Sequence, residues 1–100
     1  MEPPVNDQTD PGDSRRPRIA RLYRMQWEEA QQAHVLLFPE GMVKLNGSAG
    51  EILRRCNGEG TVAEIVAELE RAFSRAGLAP DVEAFLRMAT DKGWVEWSDA

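Results

Sequence analysis

Residues 39–53 read PEGMVKLNGSAGEIL. Pro39-Glu40-Gly41 has the chemistry of a tight turn: proline fixes φ, and glycine can take the positive φ that a type II arrangement requires. The short apolar segment Met42–Leu45 is predicted to return antiparallel to the apolar run Ala33–Phe38 (AHVLLF) on the other side of that turn. At Asn46 helical periodicity takes over. Asn46 or Ser48 can cap an N-terminus, and Ser48-Ala49-Gly50-Glu51 has the serine-to-glutamate spacing of a capping box. The stretch is therefore a hairpin that runs straight into a helix. It holds no nucleophile and base pair, no metal ligands and no phosphate loop.

Upstream, Leu22–Trp27 alternates, with Tyr23, Met25 and Trp27 on one side and Arg24 and Gln26 on the other, the period of a half-buried strand. Glu28–Gln32 is a polar connector, so three strands form a meander that needs cover on one face to be stable. Downstream, Ile52, Leu53 and Cys56 share a face of a short first helix, and Asn57-Gly58-Glu59-Gly60 breaks it. Thr61 and Glu64 make a second capping box, opening a helix from Val62 to about Arg75 with the stripe Val62, Ile65, Val66, Leu69 and Phe73. Gly77 closes that helix and Pro80 opens a third, with Val82, Phe85, Leu86 and Ala89 inward. Trp94–Trp97 is a short strand or an extended docking segment. The predicted class is α+β: a three-stranded antiparallel sheet followed by a three-helix bundle, in a winged helix-turn-helix-like arrangement.

One hundred residues suit one small domain, in which an enclosed active site would compete with the core for apolar side chains. Residues 1–18, rich in proline, aspartate and arginine, are expected to be a disordered tail or an inter-domain linker, and residues 19–100 the folded domain. The net charge of −5 sets the overall field against nucleic acid and anionic membranes. A single cysteine, no signal-peptide pattern and no apolar run of membrane-spanning length point to a cytoplasmic protein.

Candidate chemistry is sparse. His34 is the only histidine and has no partner at catalytic or metal spacing, so a structural role is the preferred reading. Cys56 lies on an apolar helix face, where a thiol acts as a small hydrophobe, although Arg54 and Arg55 next to it keep a reactive thiolate in view. A small enzyme working through these two residues is one rival reading. A winged-helix DNA-binding module is the other, but the third helix sets Arg87 and Lys92 against Asp81, Glu83 and Asp91, a net charge of −1 where DNA binders are basic.

The run Ala33–Asn46, then Ser48-Ala49, Glu51-Ile52-Leu53, Gly60–Val66 and Lys92-Gly93-Trp94 closely resembles the PqqD family of pyrroloquinoline quinone (PQQ) biosynthesis. The resemblance covers about Leu22 to Trp97, and Asn57-Gly58 stands where an aspartate-glycine is common, a change that keeps the turn chemistry. It implies a non-enzymatic peptide chaperone, a RiPP recognition element that needs no cofactor or metal; a monomer is expected, although short edge strands can exchange between protomers. Such a protein binds the precursor peptide PqqA and presents it to the radical SAM enzyme PqqE. Some members are fused behind the oxidase PqqC, for which residues 1–18 would be the linker. By position, Met42, Val43, Lys44 and Leu45 would pair with the peptide as a strand edge, and Phe85, Arg87 and Met88 would form the opposite wall. Lys44 and Arg87 are candidates to pair with peptide carboxylates.

Overall fold

The computed structural model describes residues 14–98. Along the chain run β1 (Arg16–Ile19), β2 (Arg24–Glu28), β3 (Ala33–Phe38), β4 (Gly41–Lys44), α1 (Gly47–Leu53), α2 (Val62–Ala72), α3 (Ala79–Asp91) and β5 (Val95–Ser98). The expected meander is present as an antiparallel sheet in the order β2-β3-β4. Phe38 stands opposite Gly41, so Pro39-Glu40 is a two-residue hairpin loop. Between β2 and β3 a 3-10 turn ends at Gln32, held in the left-handed region at φ 51° while its side-chain amide donates to the Glu29 carbonyl at 2.9 Å.

Period two divides this sheet into two faces. Leu36, at the centre of β3, is fully buried against the helices, and its cross-strand partners Met25 and Val43 pack on the same core. The adjacent rows, Arg24–Leu37–Met42 and Gln26–Val35–Lys44, therefore lie on the opposite face. Trp27 does not join the core as its alternation suggested. It is 48% exposed, stacks edge-on against His34 and donates its Nε1–H to Glu29 at 3.1 Å.

Helix α1 starts one residue after its cap. Asn46 is in extended conformation and its Oδ1 accepts from the Ala49 amide at 2.7 Å, while Ser48 only donates its hydroxyl to the same oxygen. The cap is thus Asn46, and the Ser48–Glu51 box does not form; Glu51 instead binds Arg55 at 2.8 Å. Gly50 lets α1 approach the sheet, since a Cβ there would lie 2.9 Å from His34 Nδ1. Helix α2 carries the predicted capping box, with Thr61 N–H donating to Glu64 Oε1 at 2.9 Å and Glu64 N–H to Thr61 Oγ1 at 3.1 Å. It stops at Ala72 rather than near Arg75, and Ser74 turns to φ 52°. Phe73 consequently leaves the inner stripe and is 48% exposed.

The core gathers Leu36 and Leu45 from the sheet side, Ile52, Leu53 and Cys56 from α1 and its exit, Val62, Ile65 and Leu69 from α2, Val82, Leu86 and Ala89 from α3, and Val95 from β5. Truncating a fully buried leucine such as Leu36 or Leu53 costs about 2–5 kcal/mol.

The tail expectation needs a correction where the chain is described. Arg16–Arg18 lie in β1, which pairs antiparallel with β5 in a separate two-stranded sheet, and Pro17 is fully buried. Met1–Asp13 of that expected tail lie outside the described residues. The trailing segment Trp94–Trp97 resolves into β5, pinned to α3 by Trp97 Nε1–H donating to Thr90 Oγ1 at 2.9 Å. No helix among the described residues is long and apolar enough to cross a membrane.

Candidate functional site

Strand β4 pairs with β3 alone among the described residues, so its other side is an edge. Which backbone groups face outward follows from one bond and the register. The Leu45 amide donates to the His34 carbonyl at 3.0 Å, and Lys44 stands opposite Val35. In an antiparallel ladder bonded and non-bonded pairs alternate, so Leu36–Val43 is a bonded pair while Val35–Lys44 and Leu37–Met42 are not. Val43 spends its N–H and C=O on β3. Met42 and Lys44 aim theirs away from the sheet, two donors and two acceptors spaced for one more strand.

Side chains sort the same four positions differently. Val43 is half-buried on the core and Leu45 fully buried, so these two anchor the edge. Met42, 50% exposed, and exposed Lys44 stand on the other sheet face.

The α3 residues do not form a single wall. At 100° per residue, Phe85 and Met88 are about 60° apart around the axis, whereas Arg87 is about 160° from Phe85. Phe85 packs on the core and Met88 is exposed beside it on that flank. Arg87 lies on the other flank, lining a shallow pocket of about 360 Å³ with Arg15, Val62, Thr90 and Trp97. The structure therefore groups Phe85 with Met88 and sets Arg87 apart. That second cluster, where the Arg15 guanidinium sits 4.4 Å over the Trp97 ring, was not legible in advance, because it depends on pairing the two ends of the domain.

The reactive-residue rival loses its nucleophile here. Cys56 is buried, its thiol directed to the Ile52 carbonyl at 3.4 Å, and burial pushes its pKa up to about 12, so it is a neutral thiol at physiological pH. His34 is half-buried between Trp27 and Gly50. Among the described residues no three histidine, cysteine, aspartate or glutamate side chains converge to hold a metal.

The family model of coenzyme PQQ synthesis protein D (PqqD) matches residues 33–95. A protein of Methylococcus capsulatus named PqqA binding protein is 47% identical over 77 residues, 77% of this chain and 83% of that one. A namesake in Pseudomonas aeruginosa is 51% identical over 81 residues, covering 80% and 88%. Among solved structures, the PqqD truncation of Methylobacterium extorquens PqqCD superposes with a TM-score of 0.67 at 29% identity over 80% of this chain and 87% of that one. It is described as a functional, stand-alone RiPP recognition element. The heterocyclase TruD shares the fold at a TM-score of 0.65 and 22% identity, over 84% of this chain and 12% of TruD. From its sequence and its fold alike, the chain belongs to the PqqD family.

Proposed function

We propose that this protein binds the precursor peptide PqqA as an added strand on β4 and presents it to the radical SAM enzyme PqqE, without performing chemistry itself. The observation that carries the reading is the outward pair of N–H and C=O groups at Met42 and Lys44, on an edge anchored by Val43 and Leu45. Names of the relatives as PqqA binding proteins support the choice of peptide. Phe85 and Met88 supply the opposing wall, while Arg87, on the far flank, takes part only if the peptide continues around α3. Assignment to β4 rather than β2, the sheet's other edge, follows the family resemblance.

Residues ahead of β1 are proposed as the linker of a PqqC fusion, on the model of the Methylobacterium extorquens PqqCD relative. The test is isothermal titration of the purified chain with synthetic PqqA. Saturable one-to-one binding is expected, with duplex DNA giving no heat. Absence of peptide binding together with salt-sensitive DNA binding would favour the winged-helix alternative.

A further inference from the structure

The sheet has a second face, at whose centre Val35 is fully buried while Arg24, Gln26, Met42 and Lys44 around it are exposed. Arg24, Leu37 and Met42 form one row across it and Gln26, Val35 and Lys44 the next. Arg24 and Leu37 of the first row also line a concavity of about 500 Å³ at the hairpin end, with Leu22 beside them and Tyr23 and Phe38 from the core face. Leu22, just ahead of β2, is 74% exposed and Met42, across β3 on β4, 50%, a high degree of exposure for two large apolar side chains in a small domain. Arg24 and Lys44 flank them, and neither makes an ion pair with a described residue. The face's carboxylate, Glu28, is at the far end of β2, where the Gln26 amide donates to it at 3.1 Å. On a chain of net charge −5, a patch of cations around apolar side chains inverts the local sign.

We propose that this outer face docks a folded protein that presents carboxylates around an apolar anchor, and that the modifying enzyme of the proposed function is that protein. The inference rests on that functional reading and adds the surface it leaves open. Complementary charge at the rim sets orientation and association rate, and the apolar centre supplies the affinity. A consequence follows for β4. Its backbone edge faces the peptide while the side chains of Met42 and Lys44 face the enzyme, so both partners meet along one strand.

The experiment uses the full chain carrying Leu22→Asp, Arg24→Glu or the milder Arg24→Gln, none of which touches the β4 edge. Binding is measured separately to purified PqqE and to synthetic PqqA. The expected result is enzyme binding weakened about tenfold or more by Leu22→Asp and by Arg24→Glu, and less by Arg24→Gln, with peptide affinity and melting curves unchanged. Wild-type enzyme affinity should also fall as salt is raised. Unaltered enzyme binding in all three variants overturns the docking surface and leaves the peptide reading intact, whereas failure of the wild type to bind PqqA overturns the reading itself. A wild-type dimer that Leu22→Asp converts to monomer would overturn the proposal in favour of self-association.

Discussion

Strands β1 and β4 have four residues each, yet the chain treats their edges in opposite ways. On one side β1 has β5; on the other, the loop after α1 closes over it. The Ile19 amide donates to the Cys56 carbonyl at 3.3 Å, the Gly58 amide to the Pro17 carbonyl at 2.9 Å, and Arg18 bridges to Asn57. Gly58 manages this approach at φ 82° with Arg18 Cβ 3.4 Å from the site of its missing side chain. Strand β4 has β3 on one side and no strand on the other among the described residues. An edge left open invites aggregation unless something protects it, and here Lys44 and the strand's brevity do so. The contrast shows which edge the domain consumes and which it leaves open: β1 is held between β5 and the loop after α1, whereas β4 pairs on one side alone among the described residues.

Proline scanning of β4 breaks this contrast most forcibly. Val43→Pro removes an inward N–H and leaves the Leu36 carbonyl unsatisfied in the core, so it should lower stability by about 1–3 kcal/mol in urea unfolding and abolish peptide binding with it. Lys44→Pro removes an outward N–H instead. Its fold should survive with little change in unfolding midpoint, while PqqA affinity in calorimetry falls about tenfold.

The closed edge should respond in reverse. Ile19 packs on the core from β1, and Ile19→Ala should cost about 1–2 kcal/mol of stability while leaving peptide affinity unchanged below the melting range. A smaller effect tests the ion pair across β1 and β5. The Arg18 guanidinium, bonded at 3.0 Å, and then the Arg21 amide hold the Glu96 carboxyl below its ordinary value of 4.5. A carboxyl with a depressed folded pKa contributes stability that is present above the ordinary value and lost as pH falls through the lowered one. The melting temperature should therefore decline below about pH 4.5, with part of that decline missing in Arg18→Ala. Salt should blunt the difference, because the pair is exposed.

Much of this fold was legible in the sequence, wherever the signal was local. The turn at Pro39–Gly41, the Thr61–Glu64 capping box and the stripe Val82, Leu86, Ala89 each depend on residues within a few positions of one another. Strand β1 was not legible: RPRI has no period, contains a proline, and is ordered by partners 78 residues away. Phe73 misled because its spacing from Leu69 is helical, while the helix ends one residue before it. At the candidate site, the edge strand was readable from strand order, and the separation of Arg87 from Phe85 follows from helical geometry alone. What spacing does not supply is which of the four strand residues offer their backbone outward, because that depends on how the hairpin's hydrogen bonds are phased.

That phase is the central claim, and amide hydrogen exchange of the chain with and without PqqA tests it most directly. The amides of Met42 and Lys44 should exchange freely in the unliganded protein and become protected when peptide is added, with Val43 protected in both states. Protection gained instead along Arg24–Glu28, with Met42 and Lys44 unchanged, would contradict it and move the peptide to the opposite edge of the sheet.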